Sequence, residues 1–149
     1  MRAVVQRVSS ASVSVEGREI ARMGAGLLAL VGVGQDDGET QARQLASRML
    51  ELRIFPDAEG RMNRSLLELG GTLAVVSQFT LFGDARHGRR PSYTAAAPAA
   101  RAEPLLDVLV AAARALGVPV VTGRFGASMD VALVNQGPVT ILLDTEKRF

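Results

Sequence analysis

Ser77, Gln78 and Thr80 stand at the end of the apolar run TLAVVSQFTLF, with Phe79 between the last two. A strand that ends this way can present two hydroxyls, a carboxamide and backbone N–H groups to one ligand. It can equally be a strand passing into a loop, and local spacing leaves the two open. Ser77, Asp84 and His87 are also the residue types of a hydrolytic triad. The serine is not in a G-x-S-x-G elbow, however, and His87 lies among arginines in GDARHGRRPSY. A catalytic base must be held within about 3 Å of its hydroxyl and oriented by a third group, so His87 reads as a solvated loop residue. Asp57 and Glu59, in PDAEGRMN, read as a turn closed by Gly60 rather than as an acid–base pair.

Three further stretches carry chemical types. GVGQDDG follows an apolar run and precedes a helical one, but its glycine spacing is one residue longer than the dinucleotide fingerprint. Asp36 and Asp37 would repel a pyrophosphate, so the stretch reads as a strand-to-helix turn. Arg86, Arg89 and Arg90 share a loop bounded by glycine and proline, and the planar guanidinium suits phosphate or carboxylate. Finally, LVNQGPVTILL would be a good strand but for Gly137-Pro138, which brings neither a side chain to pack nor a ladder N–H. The pair marks a bulge, a bend or a sheet edge, or else backbone presented to a ligand.

The elements that must position these residues follow from periodicity. Residues 2–8 and 11–15 alternate as strands, with a hairpin turn at Glu16-Gly17-Arg18 returning through Ile20. GLLALVGV and TLAVVSQFTLF are continuous apolar runs, expected as strands buried on both faces. Ala42, Leu45, Ala46, Met49 and Leu50 form one helix face, with acidic and capping residues from Asp36 to Thr40 at its start. LRIFPDAEGRMN reads as strand and turn. Leu105, Leu106, Leu109, Ala112, Ala113 and Leu116 mark a second helix, stopped by Gly117 and Pro119. Three strand pieces, over roughly 119–124, 128–135 and 138–143, complete the chain. The expected architecture is α/β: a single mixed domain over residues 1–149, strand-rich, with sheet layers and two main helices.

Bulk composition narrows the classes. The 149 residues are 48% hydrophobic and 21% charged, which suits a compact chain with a real core. Cysteine is absent and His87 is the only histidine, which disfavours disulfides, thiolate chemistry and a zinc site. No apolar run approaches the roughly 20 residues that span a bilayer, and the N-terminus alternates rather than forming a signal-like block. A cytoplasmic protein with no membrane partner is expected. Net charge is only +2, which argues against indiscriminate coating of nucleic acid, although Lys147 is the sole lysine among 17 cations.

SQFTL at 77–81 and NQGPVT at 135–140 resemble the two signature motifs of the D-aminoacyl-tRNA deacylases. RAVVQRVSSASVSVEG near the N-terminus, RIFPDAEGRMN, GRRPSY and TGRFGASMDVALVN resemble that family in the same order, so the likeness runs from residue 2 to about 143. It implies a homodimer, with active sites at the interface, that hydrolyses the ester between a D-amino acid and the 3′-terminal adenosine of tRNA. No cofactor, no metal and no DNA partner are implied. The resemblance further implies that Ser77, Gln78, Phe79 and Thr80 line the pocket beneath the ester. It implies a cis Gly137-Pro138 peptide that reaches into the partner's site and rejects L-amino acids, leaving glycyl-tRNA(Ala) also cleavable. Phe125 and Met129 are candidates to hold the adenosine, with a core role the alternative. A Thr80 nucleophile has been considered for the family, but no base lies near it in sequence, and assistance by the ribose 2′-hydroxyl is preferred. Gln136 departs from the acidic residue common at that position. The competing class is a non-catalytic RNA-binding module. Aromatics make up only 4% of residues, and no RNP-like aromatic pair is present to stack bases.

Overall fold

The computed structural model describes residues 1–148. Its centre is β1 (Arg2–Val15), whose alternation of buried and half-buried positions reflects the period of two read from the sequence. One edge of β1 pairs antiparallel first with β3 (Gly26–Gly32) and then, past Ser9-Ser10, with β2 (Arg18–Met23). Beyond β3 come β6 (Thr72–Ser77) and β7 (Val120–Thr122), both parallel to their neighbours. The continuous apolar runs predicted to be buried on both faces supply β3 and β6, which lie side by side inside the sheet. The other edge of β1 carries β8 (Asp130–Asp144) along almost its whole length.

Each face of this sheet has its own core. On one side α1 (Glu39–Glu51) and α3 (Ala99–Ala115) bring Leu45, Met49, Leu109 and Ala113 against Ala3, Val5, Leu27, Leu73 and Val75. Leu27, Leu45, Leu73 and Leu109 are fully buried, and each such side chain stabilises the fold by about 1.5–3 kcal/mol. On the other side Val8, Ala11, Met23, Leu28 and Ala74 form a second cluster, with Val131 and Leu133 packed on it. The sheet curls to enclose it, so that β2 comes against β7. The expected mixed α/β fold, rich in strands and with two main helices, is what the chain adopts.

Some boundaries differ from expectation, each for a local reason. The run 72–82 is not one strand: β6 stops at Ser77, and Phe79–Phe82 form a 3₁₀ turn. The two expected strands 128–135 and 138–143 are one strand, β8, with an excursion inside it. Helix α3 begins at Ala99, ahead of the leucine stripe, because alanines extend a helix without adding hydrophobic contrast; Pro104 sits within it. A one-turn helix, α2 (Leu66–Leu69), has no periodic signal, but its Ser65 and Glu68 form a reciprocal cap. LRIFPDAEGRMN becomes the small hairpin β4 (Phe55–Pro56) and β5 (Met62–Arg64). Asp57 closes its turn by accepting from the N–H groups of Glu59 and Arg61.

Candidate active site

The end of β6 is built to stop pairing and turn. Gln78 N donates to Val31 O at 2.8 Å, the last link to β3. Leu81 N then donates to Gln78 O and Gly83 N to Thr80 O, which closes the 3₁₀ turn. The turn can lie this close because position 32 is glycine: a Cβ there would stand 2.9 Å from Gln78 O and 3.1 Å from the Phe82 ring. Arg2 fixes the turn's far end. Its guanidinium lies 4.5 Å from the Phe82 ring centroid, donates to Leu81 O at 3.0 Å and pairs with Asp144 at 3.3 Å.

This leaves unsatisfied donors where the turn begins. Among the described residues, Phe79 and Thr80 N–H find no acceptor in the chain, as the first donors of any helical turn do not. The Ser77 hydroxyl also has no partner within the described chain, while the Gln78 amide donates to Thr80 Oγ1. Beside them opens a cavity of about 510 Å³, lined by Ser77, Gln78, Phe79, Tyr93, Phe125 and Met129 together with small residues of α3 and its approach. Phe79 is more than half exposed and meets Tyr93 edge-on, ring centroids 5.1 Å apart. Phe125 and Met129 arrive on the loop after β7, which Gly123 N anchors to Val75 O at 3.1 Å. Five of the predicted site residues therefore share one cavity, and Thr80 adjoins it through Gln78.

Gly137 and Pro138 do not line that cavity. They sit in the excursion of β8, where residues 136–139 stand opposite the single residue Arg7 of β1. The Gly137-Pro138 peptide is cis, and Gly137 has φ +124°, a conformation that L side chains rarely adopt. Asn135 closes the neck of the excursion: its Nδ2 donates to Arg7 O at 3.0 Å and to Val139 O at 2.9 Å. Arg7 supports it from below, donating through Nε to Gln136 O at 3.2 Å and through Nη1 to Ile54 O at 2.6 Å. Residue 136 contributes its carbonyl here and its side chain makes no bond, so glutamine in place of an acid leaves this arrangement intact.

The other candidates resolve structurally. His87 bonds neither Ser77 nor Asp84. The Asp84 carboxylate instead takes the Arg86 guanidinium, a hydrogen-bonded pair that holds it well below the usual carboxylate range. In GVGQDDG the buried Asp37 accepts from Gly34 N–H at 2.6 Å and from the Met1 ammonium, so this acid latches the fold. Among the described residues no His, Asp or Glu group is placed to hold a metal ion, and no helix is long and apolar enough to cross a membrane. Sequence reasoning missed Arg2, Arg7, Asn135 and Tyr93 as parts of the site. All four lie inside the stretches that carry the family likeness, Arg2 and Arg7 in RAVVQRVSSASVSVEG, Tyr93 in GRRPSY and Asn135 in NQGPVT. None was singled out, the two arginines because a cation in an alternating strand reads as a solvent-facing residue.

A family model described as D-Tyr-tRNA(Tyr) deacylase matches residues 4–144. A D-aminoacyl-tRNA deacylase from Roseiflexus sp. (strain RS-1) is 61% identical over 145 residues, covering 97% of this chain and 94% of its own. One from Desulfitobacterium hafniense (strain DCB-2) is 53% identical over the full length of both. Among solved structures, a c-Myc DNA unwinding element binding protein superposes with a TM-score of 0.91 at 34% identity, covering 97% of this chain and 99% of its own. A probable eukaryotic D-amino acid tRNA deacylase shares the fold, with a TM-score of 0.82 at 19% identity over 95% of this chain and 97% of its own.

Proposed function

The chain belongs to the D-Tyr-tRNA(Tyr) deacylase family, and from that premise we propose that it hydrolyses the ester between a D-amino acid and the 3′-terminal adenosine of tRNA. The observation that carries the reading is the coincidence of the SQFT turn, with its two unbonded N–H groups, and a cavity of nucleoside size. An aminoacyl ester is already activated. Water attacks the ester carbonyl, the tetrahedral oxyanion collapses, and the ribose 3′-oxygen leaves with a proton. The protein fixes the ester and offers donors to the developing oxyanion, for which Phe79 and Thr80 N–H are the candidates. No carboxylate or imidazole among the described residues bonds the Ser77 or Thr80 hydroxyl, and the reading gives the proton relay to the neighbouring 2′-hydroxyl of the ribose. Phe125 and Met129 then pack on the adenosine.

Chiral selection is assigned to Gly137-Pro138 of a second copy. Supporting a homodimer, among the described residues no strand pairs with the outer edge of β8, and the strand exposes Val134 and Leu142, both more than half accessible; an unpaired strand with exposed apolar side chains invites pairing with another chain. The excursion would offer carbonyls to the substrate's ammonium and fill the space an L side chain needs. Selection is then by exclusion, and glycine, with nothing to exclude, is cleaved too. The setting proposed for this work is the cytosol. The decisive experiment follows deacylation of D-tyrosyl-, L-tyrosyl- and glycyl-tRNA. Rapid loss of the D and glycyl esters with the L ester spared is expected. Equal treatment of D and L would remove the chiral role, and binding without turnover would support a non-catalytic RNA-binding module instead.

A further inference from the structure

Most guanidiniums in this chain are engaged internally. Arg22, Arg43 and Arg61 pair with carboxylates, and Arg48, Arg101 and Arg114 donate to main-chain carbonyls. Among the described residues, only Arg18, Arg89, Arg90 and Arg124 have no such acceptor. Arg18 lies at the tip of the β1–β2 hairpin. The other three belong to the two segments that supply aromatic walls to the cavity: Arg89 and Arg90 lie on the loop that returns into Tyr93, and Arg124 directly precedes Phe125.

The loop is made to hold its charge outward. Asp84 and Ser92 exchange both backbone hydrogen bonds, at 2.8 and 2.9 Å, which ties its two legs together. Asp84 also accepts from Arg86 N–H at 3.0 Å and from its guanidinium at 2.9 and 2.6 Å, so Arg86 is a staple whose charge is cancelled. Arg89 and Arg90 remain uncompensated. The adjoining cavity of about 250 Å³ carries Glu103 and Asp107 against one cation, Arg114, whose guanidinium is drawn to Val120 O, so that side is acidic on balance and favours a polyanion less.

We infer that Arg89, Arg90 and Arg124 form a phosphate-binding rim that grips the sugar–phosphate chain leading to the terminal nucleoside in the cavity. This rests on the deacylase reading and adds to it a binding site for the RNA backbone, sequence-independent because phosphates carry no base identity. The guanidinium fork matches phosphate oxygens in pairs, as lysine would not.

The test compares two substrates with one acyl group: D-tyrosyl-tRNA and D-tyrosyl-adenosine, which has no phosphate. The double variant Arg89→Ala/Arg90→Ala, Arg124→Ala and the hairpin control Arg18→Ala are assayed across salt. On tRNA, the double variant should lower kcat/KM about tenfold or more and flatten the salt slope by about two units, and Arg124→Ala by about one. On D-tyrosyl-adenosine all should match wild type within about twofold, and Arg18→Ala should match it on both. Equal losses on the two substrates would mean that the loop only shapes the Tyr93 wall, and an unchanged slope would mean a solvated face; either overturns the rim. Should wild type cleave neither ester, the deacylase reading fails. The rim is then judged by the salt slope of uncharged tRNA binding alone, where loss of slope in the variants supports it and an unchanged slope overturns it.

Discussion

Two arginines on one strand hold the two irregular segments of this molecule, and they do so differently. Arg2 fixes the 3₁₀ turn through a buried carboxylate, Asp144, a carbonyl and an aromatic face. Arg7 supports the β8 excursion through two neutral carbonyls at an exposed edge. The first segment is therefore braced by the interior of its own chain, with buried Phe82 driven into it. The second is tethered at its neck and otherwise faces outward, with residues 136–138 exposed. The difference teaches how the work is divided. Under the proposed function, the turn is the surface against which a substrate is set, and the excursion is a surface presented to it by a second copy.

The largest effect expected concerns Arg2. Arg2→Ala would leave the almost inaccessible Asp144 carboxylate without its cation and Leu81 O without its donor. Breaking a buried pair from one side costs about 3–5 kcal/mol, and the partial exposure of Arg2 favours the lower end, about 3 kcal/mol. Urea unfolding should show that loss, and deacylation should fall on every accepted ester alike, since the turn serves them all. A variant with wild-type stability would break the contrast, because the turn would then not depend on the interior.

Gly137→Ala should act on chemistry far more than on stability. A Cβ there would stand 2.8 Å from Val139 Cγ2 and 2.9 Å from Arg7 Nη2, at a φ of +124°. The exposed segment can shift to relieve this at a cost of about 1 kcal/mol, but a shift of about 1 Å in a positioning group can cost 10²-fold in rate. D-tyrosyl-tRNA hydrolysis should fall by about that factor with the unfolding midpoint little changed. Full activity and full D-over-L preference in this variant would remove the excursion from selection.

How much of this was legible beforehand depended on the kind of signal. Strands β3 and β6 were readable because burial on both faces leaves an unbroken apolar run, β1 because it alternates, and α1 because one face alternates with solvent at helical period. The end of β6 was not, since Phe79, Leu81 and Phe82 continue the apolar run after the backbone has turned; what stops the strand is a hydrogen bond to Val31 and the space left by Gly32. Ser77, Gln78 and Phe79 meet Phe125 and Met129 in one cavity while Gly137 and Pro138 stand apart from it. Ser77 and Phe125 were linked by likeness rather than spacing, because their approach is a parallel strand contact between β6 and β7. Arg2 and Arg7 escaped notice because a cation in an alternating strand normally means a solvent face. Here each bonds a carbonyl on a distant segment.

Arg7→Lys sharpens the comparison at a smaller scale. It keeps the charge but not the fork, so one ammonium must choose between Gln136 O and Ile54 O. Losing one charge-assisted hydrogen bond at this partly exposed site should cost about 1–2 kcal/mol. Selectivity between D and L esters should erode by several-fold while hydrolysis of glycyl-tRNA, which needs no exclusion, stays near wild type. Equal loss on the glycyl ester would mean that Arg7, like Arg2, supports the reaction itself.

The smallest effect should come from Thr80→Ala, and its smallness is informative. A threonine nucleophile needs a base within hydrogen-bond reach, commonly worth about 10²–10⁴-fold in rate. The Thr80 hydroxyl instead accepts a hydrogen bond from the Gln78 amide, and a carboxamide is too weak a base to take a proton from it. His87, the one imidazole, bonds nothing near it, and Asp84 is paired with Arg86. What Thr80 offers to an oxyanion is its backbone N–H, which alanine keeps. Removing the hydroxyl frees the Gln78 amide but leaves the turn's closing bonds, Leu81 N to Gln78 O and Gly83 N to residue 80 O, in place. Activity on D-tyrosyl-tRNA should therefore stay within about tenfold of wild type, whereas replacing the terminal 2′-hydroxyl of the tRNA by hydrogen should abolish most of it. A folded Thr80→Ala protein with no activity, or an acyl group trapped on Thr80 of the wild type, would reverse this ranking and make the turn the source of the nucleophile.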